Sequence, residues 1–435
     1  MMGALRRNTE LGLIILAIVL TAGAYALASL GRTASLPANE LPFVGIIAVL
    51  LAAAHIATRR LAPEADGMML PLAALLNGLG YVMITRLDHK LASLQALWTA
   101  LGVAAFVATL VVVRRARDLE RYRYTFALVG IGLLLMPMLP GIGQNINGNR
   151  IWIRVAGSTF QPGEIAKIVL VIFFASYFVE KRELMSVATR RVGPVMVPDV
   201  KYFGPVLLAF VVALGVIFFE RDLGSALLFF TLFIVMLWVA TARVFYLGIG
   251  AVMFAMGSLF SYATMNHVHE RVANWLNPWA HASSSGYQVI QSWYALAAGG
   301  IAGTGLSLGS PQRIPAVATD FIFSAIGEEL GLLGTTAVIA AFLLMVGAGL
   351  RIATRAESPF EKLLAAGLST IIGVQAFIII GGNIRLVPLT GVTLPFVSYG
   401  GSSLVSNYIL LALLLRISDS GRPTPVTAGE ETRVG

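Results

Sequence analysis

The sequence predicts an all-α protein, a polytopic bundle of membrane-spanning helices. Of its 435 residues, 57% are apolar and only 12% are charged, whereas soluble domains carry about 25% charged residues. Many apolar runs reach the ~20 residues that a helix needs to cross a hydrocarbon core of about 30 Å. Because spanning helices satisfy their own backbone hydrogen bonds, we expect helices rather than open sheets.

About twelve spanning helices are predicted in this way. They cover residues 11–30, 42–58, 69–85, 94–113, 124–139, 163–179, 204–219, 223–241, 243–263, 330–350, 361–381 and 401–416. With both termini placed in the cytoplasm, twenty-one of the 31 Lys and Arg residues fall on the cytoplasmic side and nine on the outer side. The positive-inside rule therefore favours a multi-pass plasma-membrane protein with cytoplasmic termini.

The charge and cysteine content narrow the function classes. The net charge is +9, and its Lys and Arg residues lie between the apolar runs rather than on one soluble face. They therefore indicate the orientation of the helices in the membrane and not nucleic-acid binding. The chain has no cysteine, which excludes disulfides and thiolate metal sites. The first 30 residues resemble a signal peptide, with Arg6 and Arg7 before an apolar stretch, but that stretch is long enough to span the membrane and we expect it to be retained.

Three predicted outer segments hold the polar residues of interest: 140–162, 264–329 and 383–400. The second is long for a loop, and its aromatic content, which includes Trp275, Trp293 and Phe321, argues against disorder. We expect short helices at the outer membrane surface there. Residues 391–403 contain Pro395 and paired glycines, which predict a buried or re-entrant loop beside an active cavity.

Six blocks, most of them in or beside these segments, occur in an order that resembles the SEDS family of peptidoglycan glycosyltransferases (RodA, FtsW and SpoVE). They are Asn-Gly-Asn-Arg-Ile-Trp-Ile (147–153) with Phe-Gln-Pro-Gly-Glu-Ile-Ala-Lys (160–167), Asp-Leu-Gly-Ser (222–225), Gly-Tyr-Gln to Gln-Ser (286–292), Thr-Asp-Phe-Ile-Phe (319–323), Gly-Glu-Glu-Leu-Gly (327–331), and Pro-Leu-Thr-Gly with Leu-Pro-Phe-Val-Ser-Tyr-Gly-Gly-Ser-Ser (388–403). The chain resembles actinobacterial RodA-type members most. The resemblance implies a ten-helix core over 63–420, two extra N-terminal helices over 1–62 and a disordered cytoplasmic tail over 421–435.

This resemblance implies an activity, a catalytic residue and partners. Family members polymerise lipid II, a disaccharide peptide on undecaprenyl pyrophosphate, at the outer face of the plasma membrane, beside a class B penicillin-binding transpeptidase. Membrane lipids are the other expected partners, and nucleic acid is not. Asp320 occupies the position of the family's catalytic carboxylate. RodA-like variants favour a role in cell elongation, although division stays open.

The chemistry expected of Asp320 is general-base catalysis on the acceptor 4-hydroxyl. Pyrophosphate is a good leaving group when cations offset its charge, so the remaining need is a base, which contributes about 10²–10⁴-fold. The apolar residues that follow Asp320 would raise its pKa toward a useful value. The alternative is that Asp320 caps a short helix running to Glu329.

Candidate substrate-binding residues come from the same blocks, with Arg271 added as a cation of the second outer segment, and several have a structural alternative. Glu164 and Lys167 share a helix face and either orient the donor or form an ion pair with each other or with Asp222. Asp222 is first a helix N-cap and second a cavity residue. Arg150 and Arg271 could hold pyrophosphate or lipid headgroups, and Trp152 could be an interfacial anchor. The set is completed by Gln161, Gln288, Gln291, Ser292, Glu328 and Ser398.

No cofactor is identified with certainty, and a metal site remains unknown. A divalent cation, Mg²⁺ or Mn²⁺, is an open option for offsetting pyrophosphate charge. Two other functions also remain open. One is a lipid II flippase, which the intramembrane Lys167 and the Gly/Pro breaks would suit, and the other is a non-enzymatic scaffold of the synthetic complex.

Overall fold

The computed structural model describes residues 2–35, 40–146, 149–155, 157–186, 190–192, 195–197 and 222–420, with the single positions 211 and 215. Within these residues the chain forms thirteen α-helices, numbered here in chain order. They are α1 (Met2–Thr33), α2 (Glu40–Leu61), α3 (Met69–Leu87), α4 (His89–Val112), α5 (Arg123–Leu135), α6 (Gly163–Ser186), α7 (Leu223–Thr241), α8 (Phe245–Thr264), α9 (Asn266–Leu276), α10 (Tyr287–Gly299), α11 (Ile322–Arg355), α12 (Pro359–Asn383) and α13 (Gly401–Ser420). The predicted helical fold class is confirmed.

Nine helices in the described part of the chain are long and apolar enough to cross a membrane: α1 to α4, α7, α8 and α11 to α13. The predicted helices at 124–139 and 163–179 correspond to α5 and α6. Helix α5 has only 13 residues, and α6 carries Glu164 and Lys167 near its start and further charges near its end. The predicted helix at 204–219 and the predicted tail at 421–435 lie outside the described residues, so the total of twelve stays a prediction.

Short strands add to the helical fold, and the sequence analysis did not predict them. Strands β1 (Gly143–Ile146), β2 (Asn149–Val155) and β3 (Ser158–Phe160) form an antiparallel sheet in which Ile153 pairs with both Gly143 and Phe160. A second hairpin joins β4 (Arg190–Val192) to β5 (Val195–Val197). Segment 140–162 is therefore a small sheet rather than an irregular loop.

Helices α12 and α13 form the centre of the bundle, and α1 and α8 lie at its periphery. Phe360 on α12 and Tyr408 on α13 are 0% and 1% exposed, whereas Leu259 on α8 is 69% exposed. Helices α3, α4, α6, α7 and α11 pack around the central pair. A helix that is apolar on all sides suits burial or lipid contact, and these exposed apolar faces fit a bundle that uses lipid as its solvent.

One end of the bundle, called here the Asp320 end, is formed by residues 136–162, 265–321 and 384–400. The second segment contains α9, α10 and 3₁₀ turns, so the predicted short helices are confirmed, while their placement at the membrane surface stays a prediction. The predicted spanning helix from residue 330 is preceded by a shorter helical stretch that begins at Ile322, where Ile322, Ala325 and Ile326 are fully buried, and the two stretches meet at Gly331. The third segment is non-helical as far as Gly401, as its glycines and Pro395 predicted.

Helix α11 is broken at Gly331. This residue has φ 64° and ψ −163°, a region that is essentially restricted to glycine. The loop before α11 fills the break, since the Leu332 and Leu333 N–H groups donate to the carbonyls of Gly300 and Ile301 at 3.0 and 3.2 Å. The break therefore fixes the loop of the Asp320 end onto the long helix.

We expect Gly331→Ala to lower the thermal stability of the protein. The strained backbone would cost about 1–3 kcal/mol, and a methyl group at Gly331 would also collide with the backbone of Ile301 and Gly303. The unfolding temperature of the purified protein in detergent measures this loss. Gly347→Ala is the matched control in the same helix, because a methyl group there meets no atom within 4 Å; equal stability of the two variants would contradict the strain.

Candidate active site

Asp320 lines a cavity of about 90 Å³ at the Asp320 end of the bundle. Three parts of the chain supply its walls: α9, α10, and the end of α12 with the loop that follows it. The lining residues are Arg271, Asn274, Trp275, Gln288, Val289, Trp293, Asp320, Gly382, Arg385, Val387, Leu389 and Gly391. Three predicted site residues, Asp320, Arg271 and Gln288, thus meet in one cavity although they are far apart in sequence.

The backbone around Asp320 leaves its carboxylate available to the cavity. The N–H groups of Thr319 and Asp320 donate to the Ala316 carbonyl at 3.1 and 3.0 Å, which closes a turn in which Ala316 has φ 55°. Helix α11 is capped by Phe321 without a side-chain hydrogen bond. The alternative in which Asp320 caps this helix is therefore wrong.

Arg271 lines the same cavity as Asp320, and the two charges interact. Its Nη1 donates to the Leu389 carbonyl at 3.0 Å. Burial lowers the pKa of Arg271, and the charges of Asp222 and Asp320 oppose that shift. Burial raises the pKa of Asp320, while a hydrogen bond from Thr319 and the Arg271 charge lower it. The raised pKa makes the Asp320 carboxylate a stronger base. The Arg271 guanidinium that interacts with it is fixed by the hydrogen bond to Leu389.

Asp222 has the first of the two roles considered from the sequence, that of a helix N-cap. It is the N-cap of α7, where its carboxylate accepts from Ser225 N at 3.0 Å and from Ser225 Oγ at 2.6 Å. Burial raises its pKa, the Ser225 hydrogen bonds and the Arg271 charge lower it, and it does not line the cavity. Its effect on the cavity is electrostatic, because its charge adds to that of Asp320 around one arginine.

A second arginine joins the two sides of the cavity. Arg385 has φ 68°, and its guanidinium lies 5.0 Å from the ring centroid of Trp293. The same side chain donates to the carbonyls of Trp275 and Leu276 at 3.1 and 2.7 Å, and Trp275 Nε1 donates back to the Arg385 carbonyl at 3.0 Å. The end of α9 is therefore fastened to the loop after α12.

The loop before α13 holds the Asp320 segment from the other side. Ser398 Oγ donates to the Thr319 carbonyl at 2.5 Å and accepts from Leu394 N at 2.9 Å. Tyr399 N donates to the Ala318 carbonyl at 2.8 Å. Leu394, Phe396 and Val397 are at most 1% exposed, so this is the buried loop that the sequence predicted. Ser398 contacts the segment that carries Asp320 and does not line the cavity.

Asn383 is a residue of this site that the sequence analysis missed. It is 0% exposed, and its Nδ2 donates to the Asp320 carbonyl at 2.9 Å and to the Ile379 carbonyl at 2.9 Å. Its Oδ1 accepts from Ser324 Oγ at 2.7 Å, and Ser324 shares a 2.6 Å hydrogen bond with Ser292 Oγ. A buried chain thus links α10, α11 and α12 to the Asp320 backbone.

The family model described as "Cell cycle protein", which covers FtsW, RodA and SpoVE, matches residues 67–422. The chain belongs to the FtsW/RodA/SpoVE family. It is 44% identical to a protein of Mycobacterium tuberculosis named peptidoglycan glycosyltransferase RodA, over 96% of this chain and 91% of the relative. It is 35% identical to a probable peptidoglycan glycosyltransferase FtsW of Geobacter metallireducens, over 83% of this chain and 96% of the relative.

A solved structure shares the fold of this family member. It was determined in a study of the structural coordination of polymerization and crosslinking by a peptidoglycan synthase complex, and it matches with a TM-score of 0.66 and 25% identity over 81% of this chain and 97% of that chain. Together with the nine apolar helices of the described residues, this match identifies the chain as a polytopic membrane protein of the SEDS family.

The remaining predicted residues of the first family block lie on or beside the small sheet. Arg150 on β2 is exposed, Trp152 on the same strand is half-buried, and Gln161 follows β3. None of the three lines the Asp320 cavity. Their roles in substrate binding stay predictions.

Glu164 and Lys167 form a buried ion pair in α6. Lys167 Nζ donates to Glu164 Oε2 at 2.5 Å and to Gln375 Oε1 on α12 at 3.0 Å. The two side chains are 7% and 2% exposed, and they do not line the Asp320 cavity. A charge inside an apolar span is expensive unless it is paired, so the ion-pair interpretation describes this arrangement better than donor binding does.

Glu328 and Ser292 are likewise engaged with protein groups. Glu328 Oε1 accepts from Ser310 N at 2.7 Å, and its neighbour Glu329 pairs with Arg86 at 2.5 Å. Ser292 is 0% exposed and bonded to Ser324, whereas Gln291 is half-buried on the same helix. Among these predicted residues, only Ser292 reaches the Asp320 segment, through Asn383.

The cavity fits a divalent cation only in part. Within the described residues no group of three or more His, Cys, Asp or Glu side chains lies close enough to hold a metal ion. Asp320 is the carboxylate that lines the cavity, and Asp222 does not line it. Mg²⁺ prefers six oxygen ligands and usually keeps several waters, so substrate pyrophosphate and water would supply most of them.

Proposed function

We propose that this chain is a peptidoglycan glycosyltransferase that polymerises lipid II into glycan strands, with Asp320 as the general base. The relatives named above carry that activity in their names, at 44% identity over 96% of this chain for the mycobacterial protein. One observation supports this mechanism. Asp320, whose pKa is raised by burial, lines a cavity together with Arg271 and Arg385, and α9 and α10 form part of its walls.

The proposed step is a displacement at the anomeric carbon of the donor sugar. Asp320 accepts the proton of the acceptor 4-hydroxyl as its oxygen forms a bond to that carbon, and the bond from the same carbon to undecaprenyl pyrophosphate breaks. Arg271 and Arg385 offset the charge that develops on the departing pyrophosphate, because guanidinium matches phosphate oxygens bidentately. Trp293 and Trp275 supply flat apolar surface for the sugar rings.

The side of the membrane and the partner belong to the same proposal. The distribution of Lys and Arg supports an Asp320 end on the outer side of the membrane and both termini in the cytoplasm. A lipid-linked substrate in the outer leaflet would then reach the cavity. The matched structure comes from a complex that coordinates polymerization and crosslinking, which supports a crosslinking transpeptidase of class B as the partner. Cell elongation is the process favoured by the RodA relatives.

Polymerisation by the purified chain tests this proposal. The full chain, with and without its cognate transpeptidase and with and without Mg²⁺, is given fluorescent lipid II in detergent, and glycan strands are resolved on a gel. We expect strands that require the chain. A chain that moves lipid II across liposomes without forming glycan would support the flippase, and an inactive but native complex would support the scaffold; either result would overturn the proposal.

We expect Arg271→Gln to shift the pH dependence of polymerisation as well as its rate. The Arg271 charge lowers the pKa of Asp320, so its removal leaves burial less opposed and the pKa rises further. Because the base acts deprotonated, activity is lost as pH falls through this pKa, and the acid limb moves to higher pH. The rate at its optimum would fall about 10- to 150-fold with the loss of one charge-assisted contact worth about 1.5–3 kcal/mol.

The control for Arg271→Gln is Arg313→Gln, which removes an exposed arginine from the same segment. The measurement is initial rate against pH in detergent. An acid limb that stays in place in Arg271→Gln, or that shifts equally in Arg313→Gln, would contradict the assigned coupling.

A further inference from the structure

A second cavity, larger than that of Asp320, lies between the N-terminal helices and the family core. Its volume is about 510 Å³, and α1, α2, α3, α4 and α13 line it. Helices α1 and α2 precede the family match, which begins at residue 67. A void of this size left empty would forfeit dispersion contacts along all its walls, and a volume of 300–1,000 Å³ is typical of ligand sites.

The shape of this cavity follows one leaflet of the membrane. Its α4 wall runs from His89 to Val103, a rise of about 20 Å at 1.5 Å per residue. Its α3 wall runs from Ala74 to Thr85, about 16 Å by the same rise. Half of a hydrocarbon core of about 30 Å is about 15 Å, so the cavity is as deep as one leaflet and opens at the Asp320 end.

The cavity is mostly apolar in its depth, where Asn77, Thr99 and Tyr408 supply the polar groups, and it is polar at its mouth. Ile47, Leu50 and Leu51 of α2 and Ala92 and Val103 of α4 line its body. The residues at the mouth are polar: Tyr81, Thr85, His89 and Ser93. This order of polarity matches a lipid, whose chain is apolar and whose glycerol and headgroup are polar.

Charge at the mouth favours an anionic headgroup. Arg32 Nη1 lies 2.9 Å from His89 Nε2, and Lys90 is exposed at the start of α4. The nearby carboxylate, Asp88, is occupied as the N-cap of α4, where it accepts from Lys90 N at 2.7 Å and Leu91 N at 3.4 Å. Arg32 and Lys90 therefore outnumber the Asp88 carboxylate, which caps α4. Such a surface suits a lipid phosphate.

A buried polar atom within the cavity points to a ligand as well. Asn77 is 7% exposed, and its Nδ2 donates to Tyr408 Oη at 3.0 Å and Thr99 Oγ1 at 3.3 Å. Its Oδ1 has no hydrogen-bond partner among the described residues. A buried acceptor left unsatisfied costs about 1–3 kcal/mol. A hydroxyl group of a ligand, or a water molecule held beside its ester groups, would donate a hydrogen bond to this oxygen and offset the cost.

We propose that this cavity binds one glycerophospholipid of the outer leaflet, with an acyl chain between α2 and α4 and the phosphate beside Arg32 and Lys90. The lipid fills the space between the N-terminal helix pair and the family core and thereby stabilises their packing. This site is separate from the Asp320 cavity and does not depend on the glycosyltransferase activity.

The test counts phospholipid bound to the purified full chain. The protein is delipidated in mild detergent, palmitoyl-oleoyl phosphatidylglycerol is added, and adducts are counted by native mass spectrometry. Ala96→Trp fills the cavity at a half-buried lining position of α4. The matched control is Leu97→Trp at the next position. The Leu97 side chain is 52% exposed and does not line the cavity.

We expect the wild type and Leu97→Trp to retain one tight adduct that Ala96→Trp loses. Added lipid should raise the unfolding temperature of the first two proteins and leave that of Ala96→Trp unchanged. If Ala96→Trp fails to fold, Ile47→Trp fills the same cavity from α2 and takes its place. Retention of every adduct in the cavity-filling variants, or an adduct with the mass of a polyprenyl phosphate or of detergent alone, would overturn the proposal.

Discussion

Replacing Asp320 by asparagine is expected to reduce lipid II polymerisation by about 10²–10⁴-fold, the contribution of one positioned general base. The amide keeps the size of the carboxylate, but it cannot accept the proton of the acceptor hydroxyl. The backbone contacts that place the residue, from Asn383 Nδ2 and to the Ala316 carbonyl, remain available to asparagine. The purified variant should therefore fold and bind its partner while its initial rate collapses.

The matched control for this variant is Glu270→Gln. Glu270 is an exposed carboxylate on α9, next in sequence to Arg271, and it does not line the cavity. Both variants lose one negative charge near the same surface. Near-normal polymerisation by Asp320→Asn would remove the mechanism, and an equal loss in Glu270→Gln would reduce it to an effect of surface charge.

The sequence predicted the residues of the site that carry chemistry. Asp320 and Gln288 belong to family blocks and Arg271 was proposed as an outer-side cation, and the structure brings the three into one cavity. Lys167 also stood out, because a charge within an apolar run is rare without a purpose. The ion pair with Glu164 on the same helix was one of the two alternatives, but the contact with Gln375 could not be predicted because that residue is 208 positions away, on α12.

The structural parts of the site were harder to foresee. Asn383, Arg385 and Trp293 act through contacts with backbone carbonyls or rings of distant segments, and no local pattern reports such contacts. The small sheet had a signal that was overlooked. From Arg150 to Val155 the side chains alternate between polar or aromatic and aliphatic residues, which is typical of a strand.

Buried polar residues at helix ends are the remaining signal in this sequence. Asn383 ends the apolar helix α12 after two glycines, where a buried amide needs partners. Those partners are the Asp320 and Ile379 carbonyls and the Ser324 hydroxyl. A buried amide of this kind is a candidate for a residue that positions a catalytic group when the loop after it lines the site. The loop with Arg385 and Gly391 does so here.

Asn383→Leu is accordingly expected to lower kcat for polymerisation by about 10²-fold, since a small misplacement of a catalytic group can cost this much. Leucine has a similar size but cannot donate to the Asp320 carbonyl, so the turn that carries the carboxylate is released. KM should change little, because Asn383 is fully buried and cannot contact substrate. The measurement is the split between kcat and KM for the purified variant, with its unfolding temperature.

The control for a general loss of stability is Gln375→Leu. Gln375 is also a fully buried amide on α12, but it accepts from Lys167 rather than contacting the Asp320 segment. Both variants should melt at lower temperature, since each leaves a buried polar partner unsatisfied, and Gln375→Leu should keep its kcat within a few-fold at a temperature where both are folded. A loss of kcat shared equally by the two variants would show that Asn383 stabilises the bundle without positioning Asp320.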